Sequence, residues 1–346
     1  MNMTSSDVLI RLKNLSMQFG SFKAINNLSL DIHRGEIVGF LGPNGAGKST
    51  TMKIMANILR PTSGEVWIRA NGELEKMTSL NKDYLLDHLG FLIENPYFYK
   101  NSTPRQILTY FAKLKGYPRN LIHDRVVKVI KMVDMEEWID KKLGTFSKGM
   151  RQKIGVVSAF VHDPDIIIFD EPHTGLDPKA RREVRDLILK LKELNKTVFL
   201  SSHLLYEISE VADRIAIISH GELVTCDTLE NLEQMTRNSV IQLEILETSI
   251  ESTFILKKIR ETINSIVEEK DVSYDSDDNT YYIRFDGSPK IQLEILKQLL
   301  LNNIDVLEFS VPKAGLLEDL YLQFVSESDQ KYRELNMSPI KVESKI

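Results

Sequence analysis

A single cysteine, Cys226, stands in a chain of 346 residues. No disulfide can close within the chain, which fits a reducing cytosol. Cys226 itself reads as a small space-filler near a strand end. Long apolar runs are lacking too. No stretch reaches the roughly 18 apolar residues that cross a bilayer, and the most apolar pieces, such as Ile166–Phe169, are strand-sized. Met1 to Leu12 holds no apolar run of signal-peptide length. The chain is therefore expected not to span a membrane, so that any membrane role runs through a partner. Basic excess is also absent: 44 Lys plus Arg face 49 Asp plus Glu, a formal net charge of −5. Non-specific nucleic-acid binders usually carry the opposite balance, so nucleic acid is not an expected partner.

What is present is an ordinary globular composition, 42% hydrophobic and 27% charged, at a length that suggests two or three domains. Val8, Ile10 and Leu12 alternate with polar residues, as do Leu28, Leu30 and Ile32, so the start reads as strands. Ile37 to Leu41 is continuously apolar, as a buried central strand would be. A glycine-rich turn and a helix over about 49–59 follow, with Pro61 and Gly64 as terminators. The middle, about 95–160, is helical in character. Thr103, Pro104 and Gln106 there compose a capping box with proline in the first turn, and Gly116 is a plausible stop. Strand and helix then alternate: Ile166–Phe169, a helix over 178–194 capped by Asp177, Thr197–Ser201 and Ile215–Ser219. Such alternation predicts a mostly parallel sheet covered by helices. Beyond about 237 a small α/β appendage is expected, with strands over 240–246, 281–285 and 306–311 and helices over 249–265 and 289–301. Residues 326–346 are polar and poorly periodic, which predicts a largely disordered tail.

Gly42-Pro43-Asn44-Gly45-Ala46-Gly47-Lys48-Ser49-Thr50 matches the phosphate-loop pattern G-x-x-x-x-G-K-[ST], after a strand and before a helix. Glycines let the backbone curl so that its N–H groups face phosphate oxygens, and the helix N-terminus adds partial positive charge. Lys48 supplies a full charge to the β and γ phosphates, and Ser49 offers a hydroxyl to Mg2+.

The apolar strand Ile166–Phe169 ends in Asp170 and Glu171. Beside a phosphate loop, an acid at such a strand end holds Mg2+, which is the role expected of Asp170. Glu171 can reach an attacking water and accept its proton. Solvated carboxylates capping a strand are the plainer alternative. A second apolar strand ends in Ser201-Ser202-His203. His203 is a candidate to contact the γ-phosphate and steady the water, or else a structural histidine.

Three further segments carry a resemblance to the ABC ATPase family. Phe146-Ser147-Lys148-Gly149-Met150-Arg151-Gln152-Lys153 resembles the ABC signature in a variant seen among exporter-type ATPases. Gly175-Leu176-Asp177-Pro178 stands where the family's D-loop does, and Ser202-His203 where its switch histidine does. Order and spacing agree over about 8–225. The resemblance implies an α/β fold: a P-loop NTPase core over 1–236 with a helical subdomain at about 95–160, a C-terminal α/β appendage over 237–325, and the tail. It implies ATP and Mg2+ as cofactors and hydrolysis to ADP and phosphate. Lys48, Glu171 and His203 are then catalytic, and Ser49 and Asp170 ligate the metal. Ser147 and Gly149 open a helix whose N-terminus is an anion site. In the family it faces the γ-phosphate of the opposite subunit, so ATP is sandwiched between two copies, with Asp177 also at the nucleotide. Phe19 before Gly20 is similar to the aromatic that stacks on adenine, a core phenylalanine being the other reading.

Two positions depart from the family pattern. Gly90-Phe91-Leu92-Ile93-Glu94-Asn95-Pro96 puts Glu94 where glutamine usually reads Mg2+ and touches the membrane subunit. A carboxylate can still ligate Mg2+. With Tyr97, Phe98 and Tyr99, this segment resembles the subgroup that exports bacitracin-like and lantibiotic peptides. His173 stands where a small residue is common, with no role assigned. The function expected is that of an ATPase subunit peripheral to the cytoplasmic face of the cell membrane, energising export through a separate permease and paired with a second ATPase subunit. An importer subunit and a non-transport ABC ATPase acting on ribosomes or DNA are the alternatives. One cassette, no sustained heptads and negative charge speak against the last. The stretch 312–322 resembles the closing helix of such exporter appendages.

Overall fold

In the computed structural model the described residues are 7–94, 96–235, 239–246, 252–275 and 279–311, with 321, 324, 326 and 328 besides. The chain divides between Leu229 and Glu230 into two compact units. Among the described residues no helix is long and apolar enough to cross a membrane.

The first unit opens on the antiparallel pair β1 (Val8–Phe19) and β2 (Phe22–His33). Alternation, interrupted by a register shift between Leu12 and Leu15, sets their buried face: Ile10, Leu12 and Leu15 stand across from Ile32, Leu30 and Leu28, and all six are buried. Then β3 (Ile37–Leu41) leads through the phosphate loop into α1 (Lys48–Met55). Next come β4 (Ser63–Ala70), β5 (Glu73–Lys76), α2 (Lys82–Leu86) and β6 (Leu89–Leu92). Three helices occupy the stretch expected to be helical: α3 (Pro104–Leu114), α4 (Ile122–Lys131) and α5 (Lys148–Phe160). Alternation resumes with β7 (Ile166–Phe169), α6 (Pro178–Glu193), β8 (Thr197–Ser202), α7 (Leu205–Ser209), β9 (Arg214–Ser219) and β10 (Glu222–Thr228). A further helix, α8 (Leu229–Met235), spans the division.

Two sheets result. The first is antiparallel in the order β2-β1-β4-β5; the second has six strands in the order β10-β9-β3-β8-β7-β6. Every pairing from β9 to β6 is parallel, and only β10 runs against its neighbour. The central strands β3, β7 and β8 are buried along their whole length, as strands covered on both faces must be.

The second unit runs β11 (Ser239–Ile245), α9 (Ser252–Ile263), β12 (Val272–Asp275), β13 (Thr280–Phe285), α10 (Pro289–Leu301) and β14 (Val306–Ser310). Its sheet order is β12-β13-β11-β14, antiparallel throughout. That βαββαβ course is the ferredoxin-like arrangement. Ile241, Leu243 and Ile283 from the sheet meet Ile259, Ile295 and Leu299 from the helices in a core of its own. The closing helix expected over 312–322 and the tail expected over 326–346 lie almost wholly outside the described residues.

Local chemistry accounts for several boundaries. At α3, the Gln106 N–H donates to Thr103 Oγ1 and the Thr103 N–H to Gln106 Oε1, so the capping box forms. Helix α1 stops at Met55, four residues before the expected end. Asn57 adopts φ +54°, with the Ile58 N–H on Lys53 O and the Asn57 N–H on Ile54 O. This is a Schellman stop, with asparagine in the left-handed place that glycine commonly fills. The hairpin β4–β5 turns on Asn71 and Gly72, at φ +49° and +89°, an Asn-Gly signal that accounts for strands not expected from the sequence.

Beyond α5, His162 ties the helix end to β6, its Nε2 lying 3.2 Å from the Leu89 carbonyl oxygen. A carbonyl only accepts, so Nε2 carries the proton. Burial, with the nearby Lys115 charge, pushes its pKa down from 6.5 to about 4. The unfolded chain binds this proton near pH 6.5 and the folded chain only near pH 4. Stability is therefore expected to fall as pH drops through that window. Melting curves between pH 4 and 7 should show a smaller pH dependence for His162→Gln than for wild type; equal slopes would refute the assignment. At Asn57, exposed and left-handed, Asn57→Gly should hold or raise the denaturation midpoint. Asn57→Val should lower stability by about 1–2 kcal/mol, as read by urea unfolding.

Candidate active site

The phosphate loop takes its place from β3, which lies between β8 and β9 in parallel register. Two glycines are required by contact. A Cβ at Gly42 would sit 2.3 Å from the Ile218 carbonyl oxygen. Gly47, at φ +108°, would bring one to 2.6 Å from Ala24 O. No side chain caps the first turn of α1, because its N-cap is Gly47. Lys48 is buried, and its Nζ donates to Gly42 O at 2.7 Å and Pro43 O at 3.2 Å. Glu171 Oε1 stands 3.5 Å from the same nitrogen. Burial pushes the Lys48 pKa below the usual lysine value, while Glu171 and Asp170 pull against it. Ala46 is buried as well, its carbonyl accepting from the Gly221 N–H.

Across from the loop, β7 delivers the acid pair. Asp170 is buried and accepts the Ser201 hydroxyl at 2.7 Å, while its own N–H donates to Leu92 O. Glu171 sits at φ +49°, and its N–H donates to Ser201 Oγ at 2.9 Å. The Glu171 Oε2 atom accepts from Thr174 Oγ1 at 2.9 Å and lies 2.9 Å from His203 Nδ1. Lysine, threonine and histidine thus converge on one carboxylate.

A cleft of about 430 Å³ opens here, lined by Phe19, Phe22, Asn44, Gly45, Gly47, Lys48, Ser49, Thr50, Glu171, Thr174 and His203, with Ala24. Phe19 is 46% exposed and Phe22 is 58% exposed, so neither is a core phenylalanine. They face each other across the β1–β2 turn. The cleft suits a polyphosphate: backbone without Cβ atoms, an uncapped helix start and one buried ammonium at its base.

Other residues singled out from the sequence lie elsewhere. Ser147 caps α5, its Oγ accepting the Met150 N–H at 3.2 Å, and Gly149 packs closely on Ala180. Asp177 caps α6 through the Ala180 N–H at 2.8 Å. None of the three lines the cleft. Glu94, at φ +65°, extends into solvent with Oε1 2.5 Å from Lys53 Nζ. Among the described residues no group of three or more His, Cys, Asp or Glu side chains could hold a metal ion on its own. His173 is buried against Glu207, with Nδ1 3.7 Å from Oε2, and burial lowers its pKa while Glu207 acts the other way. Glu207 in turn accepts the Ser202 hydroxyl at 2.7 Å.

Four residues at or beside the cleft have no role assigned from the sequence. Phe22 lies one tight turn from Phe19. Thr174 lies three residues beyond Glu171, a turn's reach. Ser201 stands two places before His203. Gln152 is buried in α5 with its Nε2 donating to the Pro172 carbonyl at 2.9 Å, one residue past Glu171.

Comparison with known proteins agrees with this geometry. A family model described as ABC transporter matches residues 25–174. The chain is 33% identical over 322 residues to the ABC transporter ATP-binding protein YcbN of Bacillus subtilis (strain 168), covering 92% of this chain and 97% of that one. It is 32% identical over 324 residues to the bacitracin transport ATP-binding protein BcrA of Bacillus licheniformis, with the same coverage. Among solved structures, the dimeric post-hydrolysis state of the ATP-binding cassette MJ0796 bound to ADP and Pi superposes with a TM-score of 0.56 at 27% identity, over 64% of this chain and 99% of that one. A phosphate loop, an acid pair and His203 beside it on one α/β sheet, with relatives matched over nearly their whole length, make this chain a member of the ABC transporter ATP-binding proteins, the subunits that hydrolyse ATP.

Proposed function

We propose that this chain hydrolyses ATP with Mg2+ as a pair of identical copies, at the cytoplasmic face of the cell membrane, to drive export through a separate membrane-spanning permease. The convergence of Lys48, Thr174 and His203 on the Glu171 carboxylate beside the phosphate loop carries the reading. Lys48 and the loop N–H groups bind and orient the phosphates. Glu171 takes the proton of the attacking water, and His203 positions that water and the γ-phosphate. The Ser49 hydroxyl and the Asp170 carboxylate would hold Mg2+, which when bound neutralises charge developing on the phosphates. Glu94 is bound to Lys53, so a place at the metal requires it to exchange that partner. Phe19 provides the face on which adenine stacks, with Phe22 beside it.

Ser147, Gly149 and Asp177 point the reading toward a dimer. They lie off this chain's own cleft, where residues that complete a partner's site belong, and the similar cassette MJ0796 is dimeric. The export of antimicrobial peptides is supported by the 32% identity to a bacitracin transport protein and by the Ile93-Glu94 to Tyr99 segment.

Glu171→Gln should slow steady-state ATP hydrolysis by about a hundredfold or more, and ATP with Mg2+ should trap the variant as a dimer on size-exclusion chromatography. Turnover at the wild-type rate would remove Glu171 as the base. Fluorescent-nucleotide titration should find Phe19→Ala about tenfold weaker for ATP, in the range of one lost aromatic stack, with Phe22→Ala affected less. The reverse order would make Phe22 the platform.

A further inference from the structure

Strand β8 ends in two adjacent serines whose hydroxyls go separate ways. Ser202 Oγ donates to Glu207 and accepts the Leu204 N–H, so it serves the turn that carries His203. Ser201 faces the acid pair instead. Phe169 of β7 lies across from Leu200 of β8 in parallel register, so the next residues, Asp170 and Ser201, emerge side by side. Ser201 is completely buried. Its Oγ lies 2.7 Å from Asp170 Oδ1 and 2.9 Å from the Glu171 nitrogen.

A hydroxyl has one proton and two lone pairs. The Glu171 N–H can only donate, so it occupies a lone pair, and the single hydroxyl proton is left for Asp170. Asp170 is thereby fixed as an acceptor through Oδ1, and its Oδ2 has no bond among the described residues. The same oxygen anchors the amide of a residue in the left-handed region, φ +49°, which side chains other than glycine's disfavour. The Glu171 carbonyl is held in turn by the Thr174 N–H at 3.1 Å. Bonds at both its amide and its carbonyl hold this backbone, and that backbone sends the carboxylate to Lys48, Thr174 and His203.

We propose that Ser201 is a positioning residue for ATP hydrolysis, its one hydroxyl setting Asp170 for the metal and the Glu171 backbone for the water. The inference rests on the roles given above to Asp170 and Glu171. It separates two effects of one side chain: divalent-ion affinity through Asp170, and turnover through Glu171.

The test uses the full chain with Ser201→Ala, Ser201→Thr as the variant that keeps a hydroxyl, and Ser201→Cys, which keeps the size with a weak donor, should alanine fail to fold. Ser201→Ala is expected to lower kcat about tenfold to a hundredfold, the loss of a hydrogen bond to a charged group. Mn2+ binding to the ATP complex, read by electron paramagnetic resonance, should weaken roughly tenfold. ATP binding in EDTA should stay at the wild-type value, and Ser201→Thr should recover most of both losses. In a Glu171→Gln background, Ser201→Ala should cost little further turnover while the Mn2+ loss persists. A folded Ser201→Ala chain with wild-type kcat and Mn2+ affinity, whatever its melting temperature, overturns the proposal. So does a folded Ser201→Thr chain no better than alanine. Turnover at the wild-type rate in Glu171→Gln alone would instead remove the base assignment, and the Mn2+ arm would still decide the Asp170 half.

Discussion

The charged groups at the cleft depend on parallel pairing between buried strands. Leu41 pairs with Ser202, Phe169 with Leu200 and Leu92 with Phe169, so β3, β8, β7 and β6 end together at one edge of the sheet. Apolar side chains on both faces keep these strands in the interior of the unit. Polar residues placed just beyond the strand ends therefore meet without a dedicated scaffold. Lys48, Asp170, Glu171, Ser201 and His203 come from three separate strand ends, yet they lie within hydrogen-bond or ion-pair reach of one another. The ligand crevice outside the carboxyl ends of parallel strands is a general property of open α/β sheets.

The distribution of caps complements this edge. Where a nucleotide is proposed to bind within the chain, the helix start is bare: Gly47 offers α1 no side chain. Helices α5 and α6, off that cleft, begin on Ser147 and Asp177, each bonded to its own first turn. A serine cap occupies one N–H and leaves the remaining first-turn donors for an anion. In the proposed dimer, the capped starts of α5 and α6 would face the open phosphate cradle of the other copy.

That the phosphate loop, Asp170, Glu171 and His203 come together could be read from the sequence because each is contiguous and follows a strand of plain apolar character. The capped helices α3 and α6 were readable for a similar reason, their signals lying within three residues. Contacts between distant segments were not. Ser201 is 31 residues from Asp170, and only strand register makes them neighbours. Phe19 could be read as core or platform until its exposure settled that it faces the cleft. In β4 the apolar Trp67 stands on the open face with Glu65 and Arg69, between buried Val66 and Ile68, which blurs the alternation, although Asn71-Gly72 marks the turn. The end of α1 was misplaced because Asn57 can take a left-handed conformation as glycine does, and Pro61 drew the boundary too late. The second unit was foreseen as strands and helices, but its order β12-β13-β11-β14 follows from pairings that periodicity does not encode.

The buried bond from Gln152 to the Pro172 carbonyl has a mechanical meaning. It joins the helix that starts at Ser147 to the residue just after Glu171. An amide without solvent around it must keep its partner or lose about 1–3 kcal/mol. A tilt of α5 therefore either carries the Pro172 carbonyl with it or breaks this bond. The strut is stiff because it is dry. Whatever moves the front of that helix therefore meets the segment behind Glu171 through one dry bond.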